Sequence, residues 1–252
     1  DQLASTQSRV NTGLKVQGAK DNAAVWAVAQ GQRADRGSLE AVTTSLNRAT
    51  SIADVSLAAG EQISDILVEL KQKATAAADP SATAAMRTSY NDEFQSLLSS
   101  IQSFADNAVF DGSNILDGTA TTALNFLASA DASETISLDR QNLTLAGLSL
   151  TGTSLTSEAN ATAALTAVNA AIATSSSRLA DLGAQAKQIE RHTTYVGKLS
   201  DALEAGIGNL VDADMAKESA RLTALQVQQQ LGVQALSIAN QSPQIILSLF
   251  KG

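Results

Sequence analysis

The chain has 252 residues, 17 basic and 25 acidic side chains, a formal net charge of −8, one histidine and no cysteine. Its length allows one large domain or two small ones; the negative balance excludes electrostatic attraction to nucleic acid or anionic lipid, and the missing cysteine excludes disulfides and thiolate metal sites. Alanine, Ser, Thr, Leu and Gln dominate beside 2 prolines and 3% aromatics, which predicts long helices with small side chains at tight seams.

Residues 1–30 read as helix with an interruption: Leu3, Val10 and Leu14 recur at heptad spacing, and Gly13 and Gly18 loosen the turn around them. The opening Asp1-Gln2-Leu3 has no methionine and no signal segment, and reads as the inside of a helix that begins further upstream. Trp26, the sole tryptophan, is expected to pack in a core. From Leu39 to Leu70 a seam runs in alternating steps of three and four: Leu39, Val42, Leu46, Ala49, Ala53, Ser56, Gly60, Ile63, Leu67 and Leu70. That is a coiled-coil repeat, and its small middle residues admit a close neighbour. Asp79-Pro80 is expected to end this helix and to start the next, with Asp as N-cap and Pro in first position. The next helix, over 87–108, should bury Tyr90, Phe94, Leu97, Ile101, Phe104 and Ala108, so the two form a helical hairpin.

Phe110-Asp111-Gly112-Ser113-Asn114-Ile115-Leu116-Asp117-Gly118 then breaks the helix with turn residues. Up to about Thr156 the period falls to two, and Ala123–Leu127, Thr135–Leu138 and Leu143–Leu145 read as short strands of a cap on the bundle. A longer seam follows: Leu165, Val168, Ile172, Ser175, Leu179, Leu182, Ala186, Ile189, Thr193, Val196, Ser200, Leu203, Ile207 and Leu210. At 1.5 Å per residue it is about 70 Å long, so the upstream helices must pack along it to form a rod.

The last helix differs. Leu222–Phe250 has no Asp, Glu, Lys or Arg, yet it holds seven glutamines. Those amides argue against a membrane span, because hydrocarbon satisfies none of them. Its apolar residues form two stripes: Ala220, Ala224, Val227, Leu231, Ala235 and Ile238 on one side, Leu222, Leu225, Val233 and Leu236 on the other. A helix apolar on two sides and uncharged all round is built to be enclosed by protein.

Four ordered segments carry a family resemblance. Ala19-Lys20-Asp21-Asn22-Ala23-Ala24 resembles the AKDDAAG segment of bacterial flagellins, with Val25 where Gly is usual. Phe110–Gly118 is similar to their FNGxxLLDG turn, and Val211-Asp212-Ala213-Asp214 with Lys217 and Glu218 resembles IEDADxAxE. Ala239–Lys251 matches the ANQxPQxxLSLL ending. The resemblance covers most of residues 1–118 and 165–252. It implies a short-form filament subunit without large outer domains, whose N-terminal core helix begins before the residue matching Leu3, so that the partner of Leu222–Phe250 is partly missing here.

The expected fold is mainly α: an elongated antiparallel coiled-coil helical bundle, a rod, with a small β-hairpin region and a terminal core helix. The expected divisions are an N-terminal helix and spoke-like segment over 1–38, a rod helical hairpin over 39–110, a β-hairpin region over 111–157, a rod C-terminal helix over 158–211 and a filament-core helix over 212–252. The self-assembly interface is placed on Leu222, Leu225, Val227, Leu231, Val233, Leu236, Ile238, Leu247, Leu249 and Phe250. The resemblance implies polymerisation with copies of the chain and with sibling flagellins, contact with hook-associated and cap proteins, a type III export chaperone, and secretion into an extracellular flagellar filament for swimming motility. It implies no nucleic acid, no membrane insertion, no cofactor and no enzymatic activity. The alternative is a hook–filament junction protein, which shares the family's termini.

Catalytic signals are nearly absent. His192 is expected to be a solvated helix-face residue, since no Cys or second His could share a metal with it. An inserted HExxH metalloprotease is excluded by that single histidine. Asp212 and Asp214 read as helix caps rather than a cation site. The sequons at Asn142 and Asn160 are coincidental in a bacterial product, and no glycine run forms a phosphate loop. The family's receptor-contact segment, which reads like QRVRELAVQ, aligns with Asp65–Lys73, where Ile66 and Val68 stand in place of arginines.

Overall fold

All ten residues of the 39–70 seam are buried. The computed structural model, which describes the backbone of residues 2–249 and the side chains of 2–239, sets that seam inside one continuous helix. The helices are α1 (Gln2–Thr12), α2 (Ala23–Ala77), α3 (Ala84–Asn107), α4 (Glu158–Val211) and α5 (Met215–Leu249), with β1 (Val109–Phe110), β2 (Ser113–Asn114), β3 (Leu124–Leu127) and β4 (Thr135–Leu138) between α3 and α4. β1 pairs with β2, and β3 with β4, both antiparallel, with Phe110 opposite Ser113 and Phe126 opposite Ile136. The result is a helical bundle with a small β region. The chain forms two compact units, residues 1–36 with 200–252 and residues 37–199.

Within the 37–199 unit, α4 starts beside the end of α2. Arg87 donates to the carbonyls of Ala77 and Asp79, closing the α2 terminus, and approaches Glu158 of the first α4 turn at 3.9 Å. On α4 the seam splits into two rows. Val168, Ser175, Leu182, Ile189 and Val196, seven residues apart, are buried, while Leu165, Ile172, Leu179, Ala186 and Thr193 stay partly exposed at the rim. At Gly60 a Cβ would lie 2.3 Å from Leu179 Cδ2 and 3.3 Å from Leu143 Cδ1. Glycine is therefore what lets α2 approach this closely.

Three expectations are corrected. α3 does not begin at Asp79-Pro80. Its N-cap is Thr83, whose hydroxyl accepts from the Met86 amide, while the Asp79 carboxylate turns back to accept from the amide and hydroxyl of Ser81. The buried stripe of α3 is Phe94, Leu98, Ile101 and Ala105; Leu97 is partly exposed and Phe104 is 40% exposed. The stripe is rotated because the flank at Asn91, Gln95 and Gln102 grips the 145–155 segment, bonding Leu155 N, Thr153 O and Leu145 N. Leu143–Leu145 is not a strand. Leu143 and Thr144 are both buried, so no alternation exists, and Asn142 Oδ1 accepts from the amide and hydroxyl of Thr144 to make a turn.

Charge is divided unequally. Residues 1–36 and 200–252 hold eight acidic and eight basic side chains, whereas residues 37–199 hold seventeen acidic and nine basic ones and so carry the whole formal charge of −8.

Candidate assembly surface

The motifs that suggested a family are local architecture. In Ala19–Ala24, Asp21 Oδ2 accepts from the Gln17 and Gly18 amides, and Asn22 Oδ1 accepts from the Val25 amide to start α2. In Phe110–Gly118, Asp111 and Gly112 take φ of 48° and 71°, the left-handed pair that a two-residue hairpin turn requires. Arg48 holds Asp111 at 2.7 Å. Asn114, buried, donates to the carbonyls of Ala105 and Asp106 and accepts from the Leu116 amide, welding the turn to the end of α3.

The other unit is organised by the segment before α2 and the junction before α5. Lys15 N donates to Val211 O at 2.7 Å, and Ala213 N to Gly13 O at 2.7 Å, with Leu14 bridging Asp212. Beneath this junction Val16, Ala29, Ile207 and Val211 form a core covered by Leu14, Val25, Trp26 and Leu210. Trp26 thus packs as expected. Of the two junction carboxylates only Asp214 caps: its Oδ1 accepts from Lys217 N. α1 lies against the start of α5, where Arg9 meets Glu218 at 3.3 Å.

From Glu218 onward α5 emerges from cover. Leu222 and Leu225 are partly buried, but Val227 is 48%, Leu231 62%, Val233 67%, Leu236 67% and Ile238 65% exposed. Leu247, Leu249 and Phe250 lie outside the described side chains. Five large apolar side chains within twelve residues of bare helix exceed the scattered exposure normal for a soluble surface. No helix among the described residues is long and apolar enough to cross a membrane.

His192 corrects the sequence reading. It is partly buried, and its Nε2 lies 2.7 Å from the Ala128 carbonyl oxygen, so the ring tethers the β3–β4 hairpin to α4. The contact joins residues 64 apart, which no local pattern reveals. Ser45 Oγ, on α2, holds the same hairpin by accepting from Leu127 N. At its tip Asp131 is pulled down to about 2, chiefly by the Ser129 and Ser133 hydroxyls that donate to its carboxylate. The cleft beside His192, lined by Glu134, Gln188, Arg191 and Tyr195, is open and shallow. The sequon residue Asn142 is also committed: its side chain sits where a Cβ on Gly118 or Gly147 would fall, and Arg178 donates to its carbonyl.

Comparison with known proteins gives a consistent result. Residues 1–121 match the bacterial flagellin N-terminal helical region and residues 165–250 the bacterial flagellin C-terminal helical region. Flagellin FljM of Caulobacter vibrioides is 50% identical over 251 residues, 99% of this chain and 91% of that protein. Flagellin FljK of the same organism is 48% identical over the same shares. Among solved structures, a Bacillus cereus flagellin is similar with a TM-score of 0.55 and 25% identity, over 61% of this chain and 88% of that one.

Proposed function

The chain belongs to the bacterial flagellins, and from that premise we propose that the uncharged stretch of α5 is the surface through which its copies join. The protein is a structural subunit of the flagellar filament, and the rival reading as a hook–filament junction protein is not favoured, because relatives matching nearly the whole chain are flagellins. The observation that carries the proposal is the run from Val227 to Ile238, where every large apolar side chain is about half exposed or more and no charge intervenes. An aqueous surface of that kind gains by burial, at roughly 25 cal/mol per Å² of apolar area covered. Glutamines at 226, 228, 229, 230 and 234 supply lateral hydrogen bonds that hydrocarbon could not.

In this reading the interface comprises Leu222, Leu225, Val227, Leu231, Val233, Leu236 and Ile238, continued by Leu247, Leu249 and Phe250. Residues 39–110 and 158–211 are scaffold, 111–157 a small outer β region, 1–38 the connection, and 212–252 the assembling helix. The partners are copies of the chain and sibling flagellins, with hook-associated and cap proteins at the filament ends and an export chaperone before secretion to the extracellular flagellum. The work is done by interfaces rather than by a reaction centre. Electron microscopy of the purified chain, seeded with short filament fragments, tests this. Long uniform filaments are the expected result; discrete particles or closed rings overturn it.

A further inference from the structure

Apolar contact is non-directional, so something else must aim a helix whose exposed face has to meet its neighbours in register. Two anchors hold the start of α5. One is the backbone junction, with Ala213 N on Gly13 O and Lys15 N on Val211 O. The other lies about one helical turn further along both helices, where Arg9 Nη1 meets Glu218 Oε1 at 3.3 Å. Among the described residues this pair is the sole side-chain hydrogen bond or ion pair between α1 and α5. Glu218 is buried, its side chain only 12% exposed against 35% for Arg9, and its second oxygen, Oε2, has no hydrogen-bond partner. The buried carboxylate therefore depends on Arg9 alone, and loss of that cation leaves an uncompensated charge between the helices.

We infer that Arg9 and Glu218 form a positioning clamp. They fix the angle at which α5 leaves α1 and so aim an assembly face to which neither residue belongs. The magnitude makes the point. From Glu218 to Leu249 the helix rises about 46 Å, so each 10° of error at the clamp moves the far end by roughly 8 Å. That is about the distance between the axes of two packed helices. Register along the exposed face is lost with a small swing.

The inference rests on the reading of α5 as the assembly element, and the test separates the two. The chain has no cysteine, so Ser5→Cys with Ser237→Cys accepts exactly two spin labels, and pulsed EPR gives their distance distribution. Arg9→Met should broaden that distribution, and the exchange Arg9→Glu with Glu218→Arg should narrow it again. An unchanged width in Arg9→Met, or no recovery in the exchange, overturns the clamp. In unlabelled protein the critical concentration for seeded polymerisation should rise about tenfold in Arg9→Met and return to within about threefold in the exchange. Broadened distances with unaltered polymerisation also overturn it. Trp26 emission reports whether the unit remains folded; where Arg9→Met loses it, Glu218→Gln, which keeps the shape, should raise the critical concentration severalfold, and no rise counts against the clamp. An unmodified chain that fails to polymerise at all refutes the assembly reading, while the EPR arm still decides the clamp.

Discussion

Asn114 shows how much one side chain can organise: it serves two α3 carbonyls and one amide of the turn from a buried position. Asn114→Ala strands all three groups, each costing about 1–3 kcal/mol when left unpaired in the interior. Thermal unfolding of the 37–199 unit should fall by several degrees, and Asn114→Asp, which keeps the acceptor but turns a buried anionic oxygen toward the Ala105 and Asp106 carbonyls, should fall further than Ala. At Gly60 the contest is between propensity and space. Alanine would gain about 1 kcal/mol as a helix former, but its Cβ already falls 2.3 Å from Leu179 Cδ2 and must push that side chain aside, an overpacking cost of about 1–3 kcal/mol. Gly60→Ala should therefore lower the melting temperature despite its better propensity, and Gly60→Leu should lower it further; an alanine variant that melts above the unmodified chain would contradict the close approach. Asp131 gives a pH signature. Its folded value lies below the ordinary 3.8, so its stabilising contribution is present above that value and fades as pH falls toward 2. Protection factors at Ser133 and Glu134, taken relative to the intrinsic exchange rate at each pH, should fall in that acid window, and Asp131→Ala should remove the acid dependence while opening the turn at neutral pH.

At the scale of elements, the helices were legible where a period had no competitor. The 39–70 seam has one apolar residue per step, so all ten positions were readable and all ten are buried. Leu97 and Leu98 sit side by side, so the period alone could not choose between them; the amides of Asn91, Gln95 and Gln102 decided it by binding a segment over forty residues away. Thr83 lost to Asp79-Pro80 as an expected cap because the competing Asx turn at Ser81 has the same residue preference. The hairpin tether at His192 was hidden for the same reason, since its partner is a backbone carbonyl that any residue supplies. The exposed α5 stretch yields the sharpest prediction. Leu231→Asp or Leu236→Asp places a charge where burial is required and should abolish filament growth in seeded assays. Far-UV melting of the 37–199 unit should move by less than the 2–4 °C that about 1 kcal/mol produces at this size. Either mutant forming filaments would refute the proposed surface. On α2, Ile66 and Val68 stand where the resemblance to the family's receptor-contact segment implies arginines, whose planar bidentate donors neither side chain offers. Pure monomer should accordingly activate the flagellin-sensing Toll-like receptor weakly in reporter cells, and a response as strong as that of a standard activating flagellin would refute this.

For the whole molecule the telling quantity is the partition of charge. The 37–199 unit carries all of the −8, while the unit bearing α5 is formally neutral. The like-charged 37–199 units of joined copies repel one another wherever they come within a screening length, which is about 30 Å at 0.01 M salt but only about 8 Å at 0.15 M. The critical concentration measured by sedimentation should fall as salt rises between those limits. Glu61→Gln with Asp65→Asn and Glu69→Gln should flatten that dependence; polymerisation indifferent to salt would show that the repulsion does not reach the assembly step. The same partition bears on which chains can share a polymer. Discrimination between close relatives is commonly built from unmatched or opposing charges at the contact, and the stretch from Leu222 to Phe250 contains none. Such a face can tell an apolar helix of the right shape from a wrong one, but it holds no code against a sibling with the same stripes. Charge elsewhere is then free to drift without creating a stranger, and mixed polymers become the default outcome wherever several such chains are made together.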